Sequence, residues 1–94
     1  MNYEIVYHKN FFKDIRKLST IKQGKIKEIL REILNIPTVL PPNSQALKGY
    51  DRTFRTRVGK LRLIYHINHD KKEVYVLGLD TRGEVYKIIR RLLD

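Results

Sequence analysis

The chain has 94 residues, enough for one domain and too few for a second core. It carries 20 Lys+Arg against 10 Asp+Glu, a net charge of +10, and no cysteine. That balance favours a polyanionic partner such as nucleic acid, an anionic membrane surface or an acidic protein, while disulfides, thiolate metal sites and a cysteine nucleophile are excluded.

Residues 3–8 are rich in β-formers and predict a strand. A short helix is expected over 10–18, where Phe11, Ile15 and Leu18 recur at helical spacing and Phe12 backs them. A second helix is expected over 21–36. Its Ile26, Ile29, Leu30, Ile33 and Leu34 make one apolar stripe, with Lys25, Lys27, Glu28, Arg31 and Glu32 elsewhere on the surface. Pro37 ends it. Residues 38–50 contain Pro41-Pro42, Asn43-Ser44 and Gly49, and read as a surface loop.

Three short strands follow, over 52–58, 61–68 and 73–80. Gly59-Lys60 closes the first two into a hairpin, and residues 68–72 make the next turn. Val74-Tyr75-Val76-Leu77 is apolar on both faces, as suits a central strand covered on both sides. Thr81-Arg82-Gly83-Glu84 has capping-box spacing, with Thr81 as N-cap and Glu84 at N3 of a last helix. Val85, Ile88, Ile89 and Leu92 form its apolar stripe. The expected fold is therefore a single α+β domain over 1–94. Its order is β-α-α-β-β-β-α, an N-terminal strand, two helices, a three-stranded antiparallel meander and a C-terminal helix.

A two-residue hairpin at Gly59-Lys60 sets Val58 opposite Leu61, Arg57 opposite Arg62 and Arg55 opposite Ile64. Alternation then sends Phe54, Val58, Leu61 and Tyr65 to one face and Arg55, Arg57 and Arg62 to the other. Like charges facing each other across a ladder are destabilising. A guanidinium cluster suits a phosphate, which it binds bidentately without losing its proton. The alternative is a solvated face whose arginines pair with Glu84 or Asp80. The start of the last helix, with Arg82 beside it, offers a second anion feature of little weight alone. Tyr86 falls off the apolar stripe and is free to stack on a base or move a proton. Glu84 is a possible general base, although its capping position explains it without catalysis. His8, His66 and His69 share no metal-ligand spacing, so no metal and no cofactor are expected.

The N-terminus MNYEIVYHKN has no apolar core of a secretory signal. No apolar run approaches the ~18–20 residues of a membrane span. A cytoplasmic protein without membrane association is expected.

Leu47-Lys48-Gly49, followed by Phe54-Arg55-Thr56-Arg57-Val58-Gly59-Lys60-Leu61-Arg62-Leu63-Ile64-Tyr65, resembles the central signature of the RelE/ParE toxin superfamily. The opening segment 3–18 and the closing Thr81-Arg82-Gly83-Glu84-Val85-Tyr86-Lys87 are similar too, so the resemblance spans nearly the whole chain. It implies a RelE-like toxin of a type II toxin–antitoxin system. Such toxins are ribosome-dependent endoribonucleases that cut messenger RNA in the ribosomal A site by 2′-hydroxyl attack on the adjacent phosphate. By position, the resemblance makes Arg62, Arg82, Tyr86 and Arg57 the catalytic set, and Arg55, Arg57, Lys48, Lys60 and Lys87 the RNA contacts. It also implies a RelB-like antitoxin as partner, for which the stripe Val85-Ile88-Ile89-Leu92-Leu93 is one candidate surface; packing on the sheet is the other reading.

One departure matters. Arg55 and Arg57 stand where some active members have lysine, and arginine is a poor proton donor or acceptor. ParE-type members, which poison DNA gyrase and cut no RNA, share the arginine after the glycine. The Arg82 to Tyr86 ending favours the RelE branch. The remaining alternatives are the gyrase inhibitor and a non-catalytic RNA-binding module.

Overall fold

A computed structural model of the chain describes residues 2–93. The chain opens with strand β1 (Glu4–Tyr7) and helices α1 (Lys9–Arg16) and α2 (Thr20–Asn35). Each helix has a side-chain cap: His8 Nδ1 accepts from the Asn10 N–H at 3.1 Å, and Ser19 Oγ from the Lys22 N–H at 3.3 Å. The α2 stripe buries Ile26, Leu30 and Ile33. The helix stops at Asn35 because Ile36 precedes a proline and takes φ −136°, ψ 80° instead of helical angles.

Four more strands follow: β2 (Ser44–Ala46), β3 (Thr53–Val58), β4 (Leu61–Asn68) and β5 (Glu73–Asp80). Helix α3 (Val85–Leu93) ends the described chain. The five strands form one sheet in the order β1-β5-β4-β3-β2. β1 runs parallel to β5, and every other pair is antiparallel. The α+β class and the β3–β4–β5 meander are as expected. β2 is a correction: residues 38–50 are not all loop, because Ser44, Gln45 and Ala46 pair with Thr56, Arg55 and Phe54 on the edge of β3. Three residues with turn-formers around them give no alternating pattern for a sequence to show.

The sheet is covered on both faces. On one, Phe11, Ile26, Leu30 and Ile33 of the helices meet Leu61, Leu63, Tyr65, Val74 and Val76. On the other, Val85 and Ile89 of α3 meet Leu47, Ile64 and Leu77. The α3 stripe thus packs on the sheet; the side chain of Leu93 lies outside the described residues. Both middle strands are buried on two sides, as their composition predicts.

Two local features aim the side chains. Gly59 takes φ +63° as the first central hairpin residue, the requirement of a type II′ turn, and the register pairs Arg57 with Arg62 as expected. A bulge then interrupts β4–β5: Ile64 pairs with Gly78, but Tyr65 pairs with Val76. The extra residue on β5 reverses its alternation. Val74 and Val76 face the α1–α2 core, Leu77 faces α3, Leu79 returns to the first core, and Asp80 pairs with Arg62.

Tyr65 is fully buried, and its hydroxyl lies 2.7 Å from Thr56 Oγ1. Burial pushes its pKa above the usual 10.0. A raised pKa means that the folded state holds the proton more tightly than the unfolded state. Its contribution is therefore complete below the ordinary tyrosine value and is lost as pH climbs through the raised one. Urea midpoints measured between about pH 8 and pH 11 should fall at the alkaline end. Tyr65→Phe should flatten that fall and cost about 1–3 kcal/mol at neutral pH, because Thr56 loses its buried partner.

Candidate functional site

The hairpin places Arg57 directly opposite Arg62, with Arg55 two residues along on the same face. β2 supplies a wall beside them. Gln45 is the cross-strand partner of Arg55, and its Oε1 accepts from both Nε and Nη2 of that guanidinium. Arg57 Nε donates to the Gly59 carbonyl at 3.1 Å. Together Asn43, Ser44, Gln45, Arg55, Arg57 and Arg62 line a cleft of about 320 Å³. Three of those six side chains are permanent cations and none is acidic.

Beneath the cleft, a chain of hydroxyls fastens β2 to β3. Ser44 Oγ donates to the Pro41 carbonyl at 2.6 Å. Its proton being used, Thr56 donates to Ser44 at 2.8 Å and Tyr65 donates to Thr56 at 2.7 Å. Asn43 enters the strand with φ +67°, a left-handed angle that asparagine tolerates, and its carbonyl accepts from the Arg57 N–H at 3.0 Å.

Arg62 is the innermost of the three. Its Nη1 lies 3.7 Å from Asp80 Oδ2, an ion pair too long for a hydrogen bond, and its side chain is 31% exposed. Asp80 is 1% exposed. Its Oδ1 accepts from the N–H groups of Arg82 at 3.0 Å and Glu84 at 3.1 Å, and its Oδ2 has no hydrogen-bond partner. This corrects the expected capping box. Thr81 is not the cap, because α3 begins only at Val85, and Glu84 is not at N3, because its carbonyl accepts the first helical bond from Ile88. The carboxylate at the end of β5 takes the Glu84 N–H that a Thr81 cap would have used.

The expected site residues therefore divide. Arg55, Arg57 and Arg62 share the cleft. Arg82 lines a neighbouring depression with Lys13, Lys17, Asp80 and Arg91, and is joined to Arg62 only through Asp80. Lys60 is exposed at the hairpin turn, and Lys87 is exposed on α3. Tyr86 is 40% exposed, off the core as expected, but its Oη accepts from the Lys48 N–H at 2.9 Å. Its ring centroid is 6.3 Å from that of Tyr50. Tyr86 thus props the turn that presents Lys48. Of the histidines, His66 lies in β4 beside Thr53, and His69 lies in the turn against Tyr3. Among the described residues no group of side chains could hold a metal ion, and no helix is long and apolar enough to cross a membrane.

Sequence reasoning missed Gln45, and it offered Asp80 only as an alternative partner for the arginines, which the Arg62–Asp80 ion pair bears out, and not as the acceptor of the turn's N–H groups. Gln45 sits in a stretch that reads as loop. Asp80 would face the α1–α2 core under strict alternation, and only the bulge turns it toward Arg62. The cleft offers no histidine or carboxylate as a general base. Its chemistry is the gripping of an anion and the neutralisation of charge.

Removing the Tyr86 hydroxyl tests its propping role. Tyr86→Phe should cost about 0.5–1.5 kcal/mol, and hydrogen exchange should accelerate at the Lys48 amide more than elsewhere.

Known proteins resemble this chain both in sequence and in fold. The family model described as the ParE toxin of the type II toxin–antitoxin system parDE matches residues 5–86. A Methanocaldococcus jannaschii protein named toxin RelE1 is 28% identical over 90 residues, covering 93% of this chain and 98% of that protein. An archaeal RelE–RelB complex from Pyrococcus horikoshii contains a chain with TM-score 0.74 and 26% identity, over 88% of this chain and 98% of that one. A free-state mutant of the E. coli toxin RelE shares the fold with TM-score 0.77 at 22% identity, over 99% and 96% of the two chains. With the RelE-like fold, the basic cleft and a family match over most of its length, the chain belongs to the ParE toxin family of type II toxin–antitoxin systems, within the RelE/ParE superfamily.

Proposed function

We propose that this protein is a cytoplasmic RelE-type toxin that inhibits translation by cutting messenger RNA on the ribosome. The observation that carries the reading is the cleft of Arg55, Arg57 and Arg62, lined by no acid. Guanidinium groups in fixed positions grip a phosphodiester and oppose the negative charge that builds on it. In the proposed reaction the 2′-hydroxyl of one nucleotide attacks the adjacent phosphorus and gives its proton to solvent water, a 2′,3′-cyclic phosphate forms, and the bond to the 5′-oxygen of the next nucleotide breaks. Arg57 and Arg62 hold the phosphate, and Arg82 approaches from the turn beside them. Tyr86 accepts from Lys48 and keeps its own proton, which it can donate to the departing oxygen. Arg55, Lys48, Lys60 and Lys87 contact the flanking backbone. No cofactor takes part.

The proposed partner is a RelB-like antitoxin, since several structural neighbours are RelE chains in complexes with RelB. The net charge of +10 suits both an acidic antitoxin and ribosomal RNA. A second reading rests on the family model being that of ParE: a toxin that acts by binding DNA gyrase.

Induction in growing cells separates the two. The nuclease reading expects growth arrest with loss of message, and its relief by Arg62→Ala or Arg82→Ala in protein that still folds. On the order of 10²-fold loss of activity is expected when one such charge-stabilising group is removed. A DNA-damage response with intact message would instead favour the gyrase reading. In vitro, affinity for single-stranded RNA should fall steeply with salt, and Arg62→Ala should lower the slope of log K against log salt by ~0.7.

A further inference from the structure

Asp80 is the one described side chain with a buried polar atom that lacks any hydrogen-bond partner. Such an atom in a native fold calls for an explanation, because an uncompensated buried carboxylate oxygen is costly. Capping does not supply one. Oδ1 alone receives both N–H groups of the turn, and an asparagine carbonyl could receive them equally well. What asparagine could not supply is the negative charge on Oδ2, and that charge faces Arg62. At 3.7 Å it attracts the guanidinium without consuming an N–H donor.

The register shows what this does. Arg57, Arg62 and Asp80 occupy one row across β3, β4 and β5. Arg57 repels Arg62 from one side and Asp80 draws it from the other. The same carboxylate fixes the turn that carries Arg82 and starts the helix that carries Tyr86.

We infer that Asp80 is a positioning residue for the phosphate site: its charge holds Arg62 at the floor of the cleft with its donors unspent, and couples it to the Arg82 turn. The inference deepens the proposed function and rests on it. It carries a signature that a purely structural role does not. A negative charge beside an anion site weakens binding of the anion, so removing it should tighten binding. Removing it also releases Arg62 from its place, which should slow the reaction. Binding and cleavage are expected to move in opposite directions.

The experiment uses the full chain and Asp80→Asn, which keeps the Oδ1 acceptor and deletes the charge. Binding is measured with a 2′-O-methyl RNA oligonucleotide, which cannot be cut. Cleavage is measured on translated message at saturating protein. Asp80→Asn should bind the oligonucleotide several-fold more tightly, cut at least about tenfold more slowly, and shift the Arg62 Nε–H resonance. Asp80→Ala, which also loses the turn contacts, should in addition shift the Arg82 and Glu84 amides. Cleavage at the wild-type rate, or binding and cleavage falling together, would overturn the inference. If wild-type protein cuts nothing, the nuclease reading fails on its own. The oligonucleotide then decides for Asp80: tighter binding with a moved Arg62 resonance upholds its hold on the anion site, and unchanged binding overturns it.

Discussion

The site depends on one row of side chains across the sheet, Arg57 to Arg62 to Asp80. Two guanidiniums cannot share a cross-strand pair without cost, and a carboxylate cannot be buried without compensation. Placed side by side, each offsets the other. The row exists because of two backbone features. The type II′ turn at Gly59 sets the first pair, and the bulge opposite Ile64 and Tyr65 sets the second. With either strand slipped by one residue, the charges would point into the α1–α2 core.

Around that row the site is built in layers of differing rigidity. Arg57 and Arg62 stand on strands whose opposite face is packed by α1 and α2. The wall opposite Arg55 is a three-residue edge strand, which alone would pair weakly. The hydroxyl chain from Tyr65 through Thr56 to Ser44 fastens it from below, while Gln45 holds Arg55 from above. Arg82, Tyr86, Lys48, Lys60 and Lys87 sit on turns and on the exposed face of α3. The proposed chemistry calls for such a division. A phosphate must be gripped by groups that do not move, whereas a folded RNA surface is met by cations that adapt.

The sheet's meander was readable in advance because 61–68 and 73–80 show strand composition bounded by turn residues. The arginine face was readable too, since a two-residue hairpin admits one register and the period of two does the rest. Two things were hidden. β2 is too short to show a period, and its strand character comes from its partner β3. The other is the bulge: Asp80 is legible as a possible partner of the arginines, but its place beside Arg62 depends on an extra residue in β5 that no pattern announces, since the apolar run 74–77 reads equally well with or without it. Missing the bulge led directly to the wrong cap. Thr81 has the right spacing to Glu84, but with β5 turned over it is the aspartate one position earlier that accepts from the turn's N–H groups. Tyr86 was placed correctly off the core, yet its bond to Lys48 spans 38 residues and follows from tertiary packing alone.

In the proposed function the arginine cleft acts on messenger RNA in the ribosome. Primer extension on a defined message in a translation extract supplied with the purified protein tests it most directly, with untranslated message and the Arg57→Ala protein run beside it. Cuts are expected on translated message only, all of them lost with Arg57→Ala. Full-length message at high protein concentration, or cuts that survive the substitution, would contradict it.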